Sequence, residues 1–317
     1  MIRRLTKLMG LGDTARGGAV HVAVFGKHPG WADHMDEIGL ATDELVELRQ
    51  VLYMEGIGRN IDLGTWEKLP EDSRLERFDH EFVYKAESGN LVAGRLWSSS
   101  DGRGRTKYPM LACVQCPPSM RSWLMFTALA ELARAQERFT SATTADEVRS
   151  RYKDLHGRIG AGPSEPNVAP DPSHAEALRT LHGAGIGESQ EHFLRTLYAI
   201  ERELGVEFGR MRSGSQIAKM PRAGGVRVPR GSGGLAEGLW RWDTVLAPMM
   251  PKRLSVLLMA PAGCDWVDVL AGSPGADAMA SVRTSSNAFP IASEIPYTMD
   301  SAFRTRVEAL VPREQHG

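Results

Sequence analysis

Alternating apolar and polar positions predict a set of strands along the chain. Residues 19–26 (AVHVAVFG) alternate and are rich in β-branched side chains, which predicts a strand that ends at Gly26. Residues 77–100 alternate on both sides of an SGN turn and predict a hairpin. A third strand is predicted at about 108–115, and the apolar run at 253–261 predicts a buried strand.

Apolar positions at helical spacing predict helices between these strands. Thr42 precedes acidic residues and an apolar stripe that continues to residue 58, which predicts a capped helix. Residues 120–139 are the clearest amphipathic helix in the chain. Further helices are predicted at 144–159, 174–183, 187–204 and 265–272. Residues 235–251 fit a strand or a helix, and 225–229 fit a short strand within a loop.

The order of these elements predicts an α/β protein whose sheet is covered on both faces. Four prolines in a polar setting between residues 161 and 173 predict a linker or loop. We therefore expect an N-terminal extension (1–18), an α/β region (19–160), the proline-rich segment (161–173) and a C-terminal α/β region (174–317). The last region is also compatible with being part of the same domain as the first.

Composition excludes several classes of protein. The 317 residues are 42% hydrophobic and 24% charged with a formal net charge of −1, so no global field attracts nucleic acid or anionic lipid. No apolar run approaches the length that spans a bilayer, and the first residues make a poor signal peptide. The basic segment 210–230 lacks interleaved aromatic residues, which favours a solvated or protein-docking loop over nucleic-acid binding.

The three cysteines are too few and too scattered for a disulfide framework, so we expect a reducing cytoplasm. Cys113 and Cys116 lie within or at the end of a strand that Pro117 and Pro118 terminate, and Cys264 is remote from both. We expect buried small side chains here and no metal site, because structural zinc needs four ligands. No nucleotide-binding fingerprint is present either, and we expect no cofactor.

The loop KHPGWADH (27–34) has two interpretations. Histidine and aspartate side chains in one loop can hold a metal ion or activate a water molecule. In the structural interpretation, Trp31 packs into the core and Asp33 accepts hydrogen bonds from backbone amides. The catalytic interpretation leads to a metal- or phosphate-dependent hydrolase, whose candidate residues are His28, Asp33, His34, Arg103 and Arg105.

The stretch SSSDGRGRTKYPM (98–110) raises a similar question. Its glycines permit tight turns, and Arg103 and Arg105 can hold a carboxylate or a phosphate. However, the stretch joins strand to strand, so it lacks the helix dipole of a phosphate loop. Pairing of Arg105 with Asp33 or Asp101 explains the same residues. We expect the two loops to lie at the same edge of the sheet, with Asp33 close to Arg105 or Lys27.

Both loops resemble motifs of one family. FGKHPGWADHM is similar to the G-K-x-P-x-x-G-D-F opening of the TagF (ImpM) proteins, and SSSDGRGRTKYPM is similar to their S-x-D-x-x-G-R…F-P-L stretch. The matching residues are Gly26, Lys27, Pro29 and Asp33 in the first motif and Asp101, Gly104, Arg105 and Pro109 in the second, with Tyr108 and Met110 in place of Phe and Leu. Ala32 and His34 depart from the pattern, and the resemblance covers about residues 20–120.

The resemblance implies a fold and a role. TagF-like proteins are cytoplasmic accessory factors of type VI secretion that regulate the apparatus posttranslationally and are linked to its forkhead-associated scaffold protein. The implied fold is a three-layer αβα sandwich, in which we expect a mixed, hairpin-containing sheet. The implied function is non-enzymatic and depends on protein–protein contacts, with the matching residues forming a binding or structural motif.

Overall fold

The computed structural model describes residues 20–163, 172–186, 189–208, 224–251, 253–272 and 274–311. The expected N-terminal extension and most of the proline-rich segment lie outside these residues. Seven strands form one sheet in the order β1-β4-β3-β2-β6-β7-β5. Their bounds are β1 His21–Gly26, β2 Asp79–Lys85, β3 Leu91–Ser98, β4 Pro109–Cys116, β5 Gly224–Pro229, β6 Val256–Pro261 and β7 Trp266–Ala271.

All neighbouring strands of this described sheet are antiparallel, so the expected mixed sheet is wrong. The connections between consecutive strands explain the antiparallel pairing. The short links from β2 to β3, from β3 to β4 and from β6 to β7 reverse the chain directly, whereas parallel neighbours need a long crossover. Strands from the first and second halves of the chain meet where β2 pairs with β6, with His80 opposite Pro261.

The α-helices between and after the strands are α1 Asp43–Leu48, α2 Arg59–Leu63, α3 Arg121–Trp123, α4 Leu129–Ser141, α5 Ala145–Ile159, α6 His174–Gly183, α7 Gln190–Leu204, α8 Leu235–Leu246, α9 Ala276–Met279 and α10 Ser301–Glu308. Wider π-helical turns lie at Arg49–Gly58 and Leu124–Ala128, and short 3₁₀ turns at Glu71–Ser73, Pro118–Met120 and Ala280–Arg283. Of the segment 235–251, residues Leu235–Leu246 form the helix α8, and turns follow it. Within the described residues, no helix has the length and apolarity to cross a membrane.

One predicted helix is a strand. Residues Trp266–Ala271 form β7, which pairs with both β5 and β6. Val267 and Val269 face one side of the sheet and Leu270 the other, so the segment has the period of two that a strand requires. Valine is β-branched and favours strands. Asp268, in the middle of this segment, is buried opposite Arg227 of β5.

Apolar side chains cover both faces of the sheet. Successive residues of a strand alternate between two hydrophobic clusters, as Val24 and Phe25 do in β1 and Val83 and Phe82 do in β2. Residues of α4 to α8 and α10 contribute to one cluster. Residues of α1, the π turns at Arg49–Gly58, α2 and α9 contribute to the other. The sheet therefore has a helical partner on each side.

A buried ion pair ties β5 to β7. Arg227 Nε and Nη2 donate to the two carboxylate oxygens of Asp268 at 2.7 and 3.0 Å. Arg227 also donates to the carbonyls of Ser281 and Phe289. Its guanidinium carbon lies 4.4 Å from the centre of the Trp266 ring. Each of the two buried charges therefore has a counterion inside the sheet.

Replacing Asp268 with asparagine is expected to lower the free energy of unfolding by about 3–5 kcal/mol, because the Arg227 charge is left buried without its counterion. Denaturant unfolding of the full chain measures the change. The double variant Asp268→Leu with Arg227→Met removes both charges and should lie closer to the wild type than the single variant. A single variant as stable as the wild type would contradict this role of the pair.

Candidate functional site

The two motif loops meet at one end of the sheet. The first loop follows β1 after Gly26, and the second (residues 99–108) joins β3 to β4. The antiparallel register places Gly26 opposite Met110 and Ser98 opposite Pro109, so both loops leave the sheet side by side. Lys27 N donates to the Pro109 carbonyl at 3.1 Å. We call residues 27–34 and 99–108 the two-loop site.

Glycines allow the loops to approach each other. Gly26 has φ +118°, and a Cβ there would overlap the Pro109 carbonyl oxygen. Gly102 N donates to the Trp31 carbonyl at 2.6 Å, and a Cβ on Gly102 would lie 2.9 Å from the Pro29 carbonyl oxygen. These positions require glycine because a side chain would separate the loops.

Asp101 is the centre of the site and its side chain is fully buried. Its Oδ1 accepts hydrogen bonds from the backbone amides of Arg103 and Arg105 at 3.0 and 3.1 Å. Its Oδ2 accepts from Lys27 Nζ and from Arg105 Nε, both at 2.7 Å. Burial disfavours the ionised carboxyl, but these hydrogen bonds outweigh it and hold the pKa of Asp101 far below its usual range.

Lys27 and Asp33 come from the first loop. The Lys27 side chain is buried, and its Nζ lies 2.7 Å from Asp101 and 3.1 Å from Asp33. Asp33 is 62% exposed and also contacts Arg105 Nη2 at 3.0 Å. A hydrogen bond from Lys27 lowers the pKa of Asp33. These distances confirm that the loops adjoin, but Asp101 rather than Asp33 accepts the backbone amides.

Three aromatic rings form the wall beside Lys27. The Tyr108 ring lies 5.3 Å from Lys27 Nζ and 5.1 Å from the His34 ring. Tyr53 packs edge-on against His34 and donates its hydroxyl to the Pro109 carbonyl at 3.3 Å. Burial raises the pKa of Tyr53, so its hydroxyl stays protonated. Tyr53 was not predicted from the sequence, because it reaches the site through π-helical turns that periodicity does not reveal.

His28 is not available for catalysis in this arrangement. Its Nδ1 accepts the amide proton of Gly30 at 3.0 Å, so Nε2 carries the proton and donates to the Phe139 carbonyl at 2.9 Å. Burial lowers the pKa of His28, which keeps the ring neutral. His34 instead contacts Tyr53 and is partly exposed. The two histidines thus have different surroundings and do not form one catalytic group.

The cysteines behave as buried apolar side chains. Cys113 and Cys116 are buried in β4 and belong to opposite clusters of the core, whereas Cys264 is only partly buried. Burial raises the pKa of the Cys113 and Cys116 thiols. Across the described ranges, no three His, Cys, Asp or Glu side chains are grouped in a way that could hold a metal ion.

The basic segment 210–230 is not uniformly a solvated loop. Residues 209–223 lie outside the described residues, but Arg227 is buried in the sheet against Asp268. Arg230 Nε donates to the Cys264 carbonyl at 3.1 Å. Arg227 is therefore a core residue that cannot reach a nucleic acid, and Arg230 is engaged with the backbone of the β6–β7 turn.

The chain matches no model of a known protein family and no curated protein. The resemblance to the TagF family therefore rests on the two motifs, whose residues the fold brings into contact. Arg103 contributes its backbone amide to Asp101. Pro29 and Gly104 shape the turns around the ion pairs, with Gly104 at φ +76°.

Acidification is expected to remove the contribution of Asp101 to stability. Because its pKa is lowered in the folded protein, this contribution is present above the unfolded pKa of about 3.9 and declines as the pH falls further. The difference in unfolding free energy between the wild type and Asp101→Asn should therefore shrink below about pH 4. Denaturant titrations from neutral to acid pH measure it. A difference that stays constant over this range would contradict the prediction.

Two glycine substitutions test whether the close approach of the loops is required for stability. Gly104→Ala introduces a left-handed non-glycine residue in open space and should cost about 1–2 kcal/mol of unfolding free energy. Gly26→Ala adds an overlap with Pro109 and places the residue at φ +118°, outside the left-handed helical region, so it should cost clearly more. Thermal unfolding of both variants tests this order, and equal losses would show that the close approach of the loops is not required.

Proposed function

We propose that the protein is a non-enzymatic accessory factor of a type VI secretion system, related to the TagF (ImpM) proteins. It acts in the cytoplasm as a posttranslational regulator of assembly, by binding a protein partner. The partner we propose is the forkhead-associated scaffold of that system. The observation that carries the proposal is that both motifs meet in one network of ion pairs, centred on Asp101.

The network combines a fixed part with an exposed part, which suits a binding surface. Lys27 and Asp101 are buried and brace the loops. Asp33, His34 and Arg105 are each 44–62% exposed in their side chains and form the outer face of the network. A surface that is held in place before binding loses little conformational entropy on association. The two-loop site therefore has the properties of a preformed contact surface.

The fold supports the same family. An antiparallel sheet with an apolar cluster on each face and helical residues in both clusters fits the three-layer αβα sandwich that we propose for this chain. The contacts of the site favour binding over hydrolysis. Both ring nitrogens of His28 are engaged, and both carboxylate oxygens of Asp101 already accept two hydrogen bonds each.

Arg105→Ala is expected to weaken binding of the forkhead-associated scaffold about tenfold, because it removes an exposed charge at the centre of the proposed surface. Titration of the purified scaffold encoded by the same genome into the full chain measures the affinity. Arg134→Ala is the matched control, since this exposed arginine of α4 pairs with Glu131 three residues earlier in the same helix.

The control variant should bind like the wild type. The proposal fails if the wild-type chain does not bind the scaffold, or if both variants lose affinity equally. Secretion by cells that carry each variant gives a second readout, in which Arg105→Ala should resemble a deletion of the gene and Arg134→Ala should not.

A further inference from the structure

The two carboxylates of the two-loop site are held in different ways. Asp101 is fully buried, and each of its oxygens already accepts two hydrogen bonds from Lys27, Arg103 and Arg105. An ionised carboxylate has about four acceptor positions, so Asp101 has no capacity left for a ligand. It is a permanent part of the site.

Asp33 is held by one oxygen only. Its Oδ1 receives Lys27 Nζ at 3.1 Å, Arg105 Nη2 at 3.0 Å and His34 Nδ1 at 3.2 Å. The Asp33 side chain is 62% exposed and Arg105 is 47% exposed, so water competes for this pair, and Lys27 keeps Asp101 as its counterion when Asp33 moves away. The Asp33 carboxylate can therefore leave its position at a small cost.

When the Asp33 carboxylate moves away, the space that it occupied beside Lys27 and Arg105 can bind another anion. Two cations, Lys27 and Arg105, then face one carboxylate, Asp101, so a single positive charge is left over. The Lys27 ammonium is buried, which strengthens its attraction for an anion at this position. The Arg105 guanidinium adds a donor that suits a carboxylate.

The surroundings favour a carboxylate over a phosphate. A monoanion balances the one excess charge, whereas a phosphate dianion would place an unbalanced charge near Asp101, which shares both cations. The Tyr108 and His34 rings, 5.1 Å apart, line the same position and can contact the methylene groups of an acidic side chain.

We propose that Lys27 and Arg105 form a carboxylate-binding site that Asp33 fills in the free protein, and that an aspartate or glutamate side chain of the protein partner replaces Asp33 on binding. The identity of the partner rests on the proposed function, but the carboxylate site itself does not. Asp33 thereby acts as an internal competitor of the partner.

The site can be tested with acetate as the probe. The midpoint of thermal unfolding is measured for the full chain at neutral pH, in sodium acetate and in sodium chloride of equal ionic strength. Acetate should raise the midpoint of Asp33→Ala relative to chloride, and should do so much less for the wild type. The double variant Asp33→Ala with Arg105→Ala should lose the effect.

The same acetate shift in all three proteins would overturn the proposal, because it would then be a general salt effect. Phosphate at equal ionic strength is the third condition. A larger shift of Asp33→Ala in phosphate than in acetate would overturn the carboxylate class. Asp33→Asn provides a second variant of similar size, which should also respond to acetate.

Partner binding supplies an independent readout. If Asp33 competes with the partner, Asp33→Ala should bind the purified scaffold about twofold to tenfold more tightly, whereas Arg105→Ala should bind it more weakly. Weaker binding by Asp33→Ala would overturn the competitor role. A normal acetate response without any scaffold binding would refute the proposed function alone, and normal scaffold binding without an acetate response would refute this inference alone.

Discussion

The contact between Lys27 and Asp101 is the constraint on which the site depends. Each of these side chains is buried, and neither charge is tolerated in the protein interior without the other. Lys27 follows the edge strand β1, and Asp101 follows β3, two strands away across β4. The pair can form only if both loops leave the same end of an antiparallel sheet in the correct register. The turn at residues 101–105, the close contact at Gly102 and the exposure of Arg105 follow from that arrangement.

A buried ion pair also lies at the other edge of the described sheet. β5 is the outermost strand there, and its Arg227 is buried against Asp268 of the neighbouring β7. An edge strand has fewer hydrogen-bonding neighbours than a central strand, so a buried cation–carboxylate contact adds an anchor where the ladder is weakest. The two pairs differ in their surroundings. The Arg227 pair is enclosed by Trp266 and Phe289, whereas the Lys27 pair is extended to the surface by Asp33 and Arg105.

Much of the architecture could be predicted from local patterns. Period-two alternation located β1 and the β2–β3 hairpin, an apolar run located β6, and capping residues such as Thr42 located helix starts. The same patterns failed for β7, because a short apolar run fits a helix or a strand until its pairing with β5 and β6 is known. The adjacency of the loops was predicted from two motifs. The pairing of Arg105 with Asp101 was predicted as well. The burial of Asp101 against Lys27 and the contact of Tyr53 with the loops were not, because they depend on burial and on helix geometry that involve residues far apart in the sequence.

Because of the π-helical turns at Arg49–Gly58, the position of the Tyr53 ring depends on the number of residues in this segment. In a π-helix each amide bonds one residue further back than in an α-helix, so the segment holds more residues per turn. Tyr53 lies within these turns and donates its hydroxyl to the Pro109 carbonyl. Losing one residue anywhere between Arg49 and Tyr53 would rotate the ring away from the loops, even if every remaining residue were unchanged. This segment can therefore accept substitutions more readily than deletions, and gaps in it would mark related chains in which the aromatic wall is built differently.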